Sequence, residues 1–219
     1  DLSGLTTTIN SLCHQSLGIE EFEVNIVDNA SKSSLAPLVR ELSSRTPLII
    51  RYFFEPQLGL SNARNTGIKV SRSENIAITD ADNAVSTDWL KNLTIAFDNT
   101  DAIIVGGKVK NKFAGNLPFY FSPKLIEYFS PTTWPDNISV VKPPLFIIGA
   151  NMAFNKKAAI EVGGFNPALG RVGDRLTSCE DIEFTIKVQN KYGGNRLYIE
   201  PNAVVTHITP AKMCTFSRL

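Results

Sequence analysis

Sulfur is scarce in this chain: three cysteines (Cys13, Cys179 and Cys214) and two methionines stand among 219 residues. The cysteines lie far apart and form no CxxC pair, which argues against a disulfide framework or a structural zinc site and favours a reducing compartment. Long apolar runs are missing too. No stretch approaches the roughly 18 apolar residues of a membrane span. The opening Asp1-Leu2-Ser3-Gly4 has no initiator Met and no basic and apolar signal regions. Neither sign of charge dominates: 22 Lys and Arg face 21 Asp and Glu, a formal net charge of +1. No long-range field therefore selects nucleic acid or anionic lipid, and charges must be read locally. No GxGxxG follows an apolar strand, which argues against a Rossmann dehydrogenase.

What remains is an ordinary globular mixture, 43% hydrophobic and 20% charged, with 14 Gly and 12 Pro. A chain of this size makes one medium domain that buries roughly 70% of its unfolded surface. Apolar spacing at i, i+3, i+4 and i+7 predicts helices through Leu5–Cys13, Leu35–Leu42 and Trp89–Phe97. Ser33, Ser34 and Ser86 are their candidate caps. β-rich runs fall at 23–28, 48–54, 76–80 and 102–109, and alternation of strand with helix points to βαβ units in a largely parallel sheet. From Lys110 to Leu145 the chain holds six prolines and seven aromatics, an excursion with room for a short helix near Pro123 to Phe129. Beyond it come a strand-like run at 146–154, a short helix to Val162, a helix from Ser178 to Tyr192 and a strand from Leu197 to His207. No linker divides the chain into two domains.

The acidic residues fall where such a sheet binds ligands, beyond the carboxyl ends of its strands. Asp28 closes one β-run and Asp80-Ala81-Asp82 follows another. Two carboxylates one residue apart can divide their work, one holding a sugar hydroxyl and the other a hard divalent ion that bridges a diphosphate. Gln57 to Asn65 reads as a turn entering a helix. There Arg64 is either a fixed cation for an anion at the helix N-terminus or a helix residue paired with a nearby acid. Glu180-Asp181 opens a helix, and two readings stay open: a general base, or the end of a Ser178-x-x-Asp181 capping box. His207 ends the last β-run; a lone histidine is usually a packing or surface residue, but at a strand end an imidazole can complete a metal site. His14 sits in the first helix and reads as structural.

In this order, Ser11-Leu12-x-x-Gln15, Val27-Asp28-Asn29-Ala30-Ser31, Gly59-Leu60-Ser61-x-Ala63-Arg64-Asn65-x-Gly67, Asp80-Ala81-Asp82-Asn83, Gly149-Ala150-Asn151-Met152-Ala153-Phe154, Val162-Gly163-Gly164-Phe165, Glu180-Asp181 and His207 resemble a family 2 glycosyltransferase. The resemblance implies the Rossmann-like type A (GT-A) fold: a single α/β domain with a mostly parallel central sheet flanked by helices. Residues 1–109 would form the nucleotide-sugar-binding half, and 110–219 the acceptor-side and catalytic half. It implies Asp28, Ser31, Arg64, Asp80, Asp82, Gly149, Ala150 and Asn151 as donor-binding residues. Asp181 is implied as the general base with Glu180 close to the acceptor, and Asp82 with His207 as ligands of Mg²⁺ or Mn²⁺. Family members open with a strand ending in Pro-x-Tyr-Asn just before the helix that begins here near Leu5. The chain is therefore expected to be a fragment lacking that strand. After Ser31 it carries Lys32-Ser33-Ser34, where the family often has an acid.

The function so implied is transfer of a sugar, with inversion, from a nucleoside diphosphate donor (UDP by default) to a hydroxyl of a saccharide or lipid-linked acceptor. Such chemistry belongs to polysaccharide or glycolipid synthesis in the cytoplasm, at the inner face of the membrane if the protein associates peripherally with it. Nucleic acid is not an expected partner. The alternative is a nucleotide-sugar-binding protein that is inactive or truncated. In the excursion, Tyr120, Tyr128 and Trp134 are candidates to stack on a sugar ring, or simply pack the loop.

Overall fold

A computed structural model describes residues 2–114, 135–142, 146–172 and 178–210. The expected helix near Pro123 and the candidate stacking residues Tyr120, Tyr128 and Trp134 lie outside the described residues.

The first half alternates helix and strand: α1 (Leu2–Leu12), β1 (Val24–Asp28), α2 (Ala36–Ser44), β2 (Ile50–Phe54), α3 (Leu60–Val70), β3 (Asn75–Thr79), β4 (Asn83–Val85) and α4 (Trp89–Asn99). The second half holds β5 (Ile104–Ala114), β6 (Ser139–Val140), β7 (Asn151–Asn155), α5 (Lys156–Glu161), α6 (Glu180–Tyr192) and β8 (Leu197–Pro210), with a 3-10 turn at Gly194–Arg196 before β8. Every helix predicted within the described residues forms, and the cap residues differ. Asp88 rather than Ser86 precedes α4, and Leu35 precedes α2, whose Ala36 N–H reaches the Ser34 hydroxyl. Helix α6 starts after Cys179, held at φ 76°, with no side-chain cap. The capping box expected from Ser178 and Asp181 does not form, because Asp181 gives its oxygens to Ile182 and Gly149 instead.

The class is α/β as expected, and the sheet is more mixed than the alternation of elements suggested. β1 and β2 pair in parallel, while β3-β7-β5-β8-β4 form a second sheet with β6 on β8. Of the second sheet's ladders, β5·β8 is parallel and the others are antiparallel. Strand direction depends on where the chain returns after the excursion, which side-chain periodicity does not encode. The run at 146–154 becomes strand only from Asn151.

Two apolar clusters sit on the sheet. One joins α1, α2 and α4 through Ile9, Leu42, Trp89, Leu93 and Val205. The other joins β7, α5 and α6 through Ile104, Met152, Phe154, Phe165 and Phe184. In the latter, Phe165 stacks on Phe184 at 4.4 Å between ring centres, and Phe154 meets Phe184 edge-on at 5.2 Å.

β1 and β3 each have one hydrogen-bonded neighbour among the described strands. Between them lies a cavity of about 600 Å³ whose apolar lining includes Ile9, Ile26, Val27, Ile76 and Ile78. Consecutive residues of both strands line it, not alternate ones, so strand edges face the space.

Candidate functional site

The cavity between β1 and β3 is lined in part by Arg64 and Asp80, which belong to a cluster of ionisable groups. Helix α3 carries Arg64 into a crowded position. Arg64 Nη1 lies 2.7 Å from Glu180 Oε1 and Nη2 lies 3.9 Å from Asp80 Oδ1. Its guanidinium stands over the Phe165 ring, 5.2 Å from the centroid. The Arg64 and Glu180 side chains are 9% and 8% exposed, so this is a buried ion pair, the pairing with a nearby acid that was one of the two readings of Arg64. The backbone passes so close at Gly149 that an added Cβ would run into the guanidinium.

Gly149 also joins this cluster to Asp181, whose Oδ2 accepts the Gly149 N–H at 2.8 Å. Asp80, Arg64, Glu180, Gly149 and Asp181 therefore form one contiguous set drawn from the turn after β3, from α3 and α6, and from the segment before β7. Part of the Asp80 side chain faces the cleft, yet burial of its carboxyl pushes its pKa up; Arg64 opposes that and Asp82 adds to it.

The β4·β8 ladder brings Asp82 to the late histidine: Asn83 pairs with His207, and Asp82 Oδ2 comes to 3.5 Å from His207 Nε2. This contact with His207 holds the Asp82 carboxyl below its usual range, and the same contact raises the His207 imidazole. A carboxylate oxygen beside an imidazole nitrogen is a donor pair suited to a divalent ion. Among the described residues no group of three or more His, Cys, Asp and Glu converges. In the same strand row, Asn111 of β5 pairs with His207, and both atoms of its side-chain amide are buried without a partner.

Two of the expected donor residues are engaged elsewhere. Asp28 is 1% exposed. Its carboxylate accepts the N–H groups of Ser31 (3.0 Å) and Leu35 (3.2 Å) and the Tyr52 hydroxyl (2.8 Å). Burial pushes its pKa up, but the bonds from Ser31, Tyr52 and Leu35 outweigh burial and hold it low. Asp28 thereby shapes the 29–35 turn, and Asn29 Oδ1 ties that turn to α3 through the Gly59 N–H at 2.7 Å. Asn151 is fully buried: Oδ1 accepts the Trp89 indole N–H (2.8 Å), and Nδ2 donates to the carbonyls of Lys108 (3.0 Å) and Ala203 (2.9 Å). The neighbouring Ala150, whose carbonyl accepts from Asn83 Nδ2 at 3.2 Å, is half-buried, and Gly149 is buried. Ser31 is exposed on the turn.

Phe165 as a platform for Arg64, and Tyr52 as a donor to Asp28, were not assigned roles from sequence. An aromatic at Gly163-Gly164-Phe165 was visible there, but its partner 101 positions earlier was not.

A mixed α/β sheet with carboxylates and an arginine gathered at one edge defines a GT-A type nucleotide-sugar-binding fold. Comparison supports this. Residues 2–163 match the family described as glycosyl transferase family 2, and the chain belongs to that family. Chondroitin synthase of Escherichia coli is 28% identical over 228 residues, which cover 90% of this chain and 30% of that protein. TarS of Staphylococcus aureus, solved in complex with UDP-GlcNAc, superposes with a TM-score of 0.68 at 19% identity over 94% of this chain and 54% of that one. Mannosyltransferase PcManGT of Pyrobaculum calidifontis, solved with GDP-Man and Mn²⁺, gives 0.66 at 20% identity over 94% and 53%. The chain spans less than half the length of the first curated relatives it matches. Among the described residues no helix is long and apolar enough to cross a membrane.

Proposed function

We propose that this chain is the donor-binding and catalytic part of an inverting glycosyltransferase of polysaccharide or glycolipid synthesis. The donor is a nucleoside diphosphate sugar, UDP-linked in the first instance, and the acceptor is a hydroxyl of a saccharide or lipid-linked saccharide. The observation that carries the reading is the set Asp80–Arg64–Gly149–Asp181: a cation for an anionic donor and a carboxylate for an acceptor proton, separated by one glycine.

Asp181 is the general base. Its Oδ2 is oriented by the Gly149 N–H, and it takes the acceptor hydroxyl's proton as that oxygen bonds the anomeric carbon and the diphosphate departs on the opposite side. A single displacement with no enzyme nucleophile inverts the anomeric centre. Arg64 and Asp80 meet the donor, the cation toward the diphosphate and the carboxylate toward the ribose. Asp28 and Ser31 contribute through the turn that Asp28 shapes, and Gly149, Ala150 and the buried Asn151 form and support the floor. Asp82 and His207 would hold Mg²⁺ or Mn²⁺, which supplies charge neutralisation at the diphosphate.

The test is Asp181→Asn in the full-length protein. Transfer from UDP-sugars is expected to fall by about 10²–10⁴-fold, the usual contribution of a general base, while UDP affinity stays within twofold. Wild-type transfer by this variant would refute the base. A wild type that binds UDP but neither transfers nor hydrolyses the donor would leave a binding protein in place of an enzyme.

A further inference from the structure

Glu180 and Asp181 are neighbours in sequence, yet their carboxylates take different partners. Asp181 is half-buried and reaches Gly149. Glu180 is buried against α3, with its Oε1 on Arg64 Nη1 at 2.7 Å. Its flank is closed by the 169–171 loop: a Cβ on Gly170 would stand 3.4 Å from Glu180 Cγ and 3.5 Å from Cδ. That loop is fastened to α3, where the Ser61 hydroxyl donates to the Leu169 carbonyl (2.8 Å) and the Leu60 N–H to the Arg171 carbonyl (3.0 Å). Glu180 is thus enclosed between α3 and the loop, and the group it touches is the cation of the donor side.

A buried guanidinium needs a fixed counter-charge, and a short charge-assisted bond also sets its orientation. Nη1 is held by Glu180, the guanidinium stands over Phe165 with Gly149 against it, and Nη2 lies 3.9 Å from Asp80 Oδ1. We infer that Glu180 is a donor-side positioning residue: it clamps the Arg64 guanidinium beside Asp80, where that cation meets a nucleoside diphosphate, and it takes no part in acceptor binding or proton transfer. The inference rests on the donor reading above and moves Glu180 away from the acceptor role that its place beside Asp181 suggests.

The experiment is a double-mutant cycle on nucleotide affinity in the full-length protein, with UDP and Mn²⁺ as the probe and GDP and Mn²⁺ in parallel. Glu180→Gln is expected to weaken the better-bound nucleotide about tenfold, within the coupling range of contacting charged pairs. Arg64→Ala is expected to weaken it at least as much, and the double variant no further than Arg64→Ala alone. Acceptor KM and the pH dependence of kcat stay as in the wild type for Glu180→Gln, which a general loss of structure would not allow. If these variants fold poorly, Glu180→Asp and Arg64→Lys keep both charges while breaking the geometry, and the same non-additivity is expected. Nucleotide affinity within twofold of wild type for Glu180→Gln, additive losses, or an effect confined to acceptor KM or the pH profile overturns the inference alone. A wild type that binds neither nucleotide overturns the donor reading and this inference with it.

Discussion

Replacing Asn151 with alanine separates a structural role from a binding one. The side chain is fully buried and every polar atom is paired: Oδ1 to the Trp89 indole, Nδ2 to the carbonyls of Lys108 and Ala203. Those carbonyls flank the place where the β5·β8 ladder slips from Gly107↔Glu200 to Lys108↔Val204. Here the backbone of Ala203 and the Asn151 amide press so close to Gly107 that a Cβ would overlap both. Asn151→Ala leaves one buried N–H and two carbonyls without these bonds. At about 1–3 kcal/mol for each orphaned group, with the carbonyls at the low end, the loss is about 3–5 kcal/mol. That is a large part of the roughly 5–15 kcal/mol available to a domain. Equilibrium urea unfolding of the full-length protein reads it directly, and hydrogen exchange should show Val204 and Val205 losing protection first. Trp89→Phe removes one donor and is expected to cost about 1–2 kcal/mol alone, and less in the Asn151→Ala background, because the pair shares a bond. An Asn151→Ala protein within about 1 kcal/mol of wild type, with only its donor KM raised, would show that the side chain works in the cleft and that the ladder reasoning is mistaken.

Gly149→Ala places a methyl against the Arg64 guanidinium, which Glu180 prevents from yielding freely. Stability is expected to fall by about 1–3 kcal/mol and UDP affinity roughly tenfold. Gly67→Ala in α3, whose Cβ would meet only Val27 at 3.9 Å, should instead stabilise by about 0.4–1 kcal/mol. Equal behaviour of the two variants would count against the close approach at 149. Asp28 gives a pH signature. Its folded pKa lies below the ordinary 3.8, so its contribution is present above that value and is lost as pH falls through the folded one. The urea-midpoint deficit of Asp28→Asn is therefore expected to be large at pH 7 and to shrink below pH 4; a deficit independent of pH sinks the assignment.

Much of the fold was legible because it is local. The stripe Leu35, Leu38, Val39 and Leu42 specifies α2 by its 3.6-residue period whatever packs on it, and Gly193-Gly194 marks the end of α6. The Asp80-Ala81-Asp82 tripeptide could be placed after β3 because an apolar run precedes it. Capping was less legible, since the hydroxyl or carboxylate that caps a helix in one setting finds a better partner in another. Asp181, drawn to Gly149 rather than to a box with Ser178, is such a case.

Sequence by itself determined most of the helices and strands among the described residues and the family to which the chain belongs, and it nominated Asp28, Asp80, Asp82, Glu180 and Asp181 as candidate acids. Only the tertiary structure decided what each acid touches. Asp28 is tied up in its own turn by Ser31, Leu35 and Tyr52, Asp82 is matched to a histidine 125 positions away, and Glu180 is turned onto Arg64 while its neighbour faces Gly149. The reason is physical: helical and strand periods are written in near neighbours, whereas the partner of a buried charge is set by which distant strands and helices meet and by how little water is left between them.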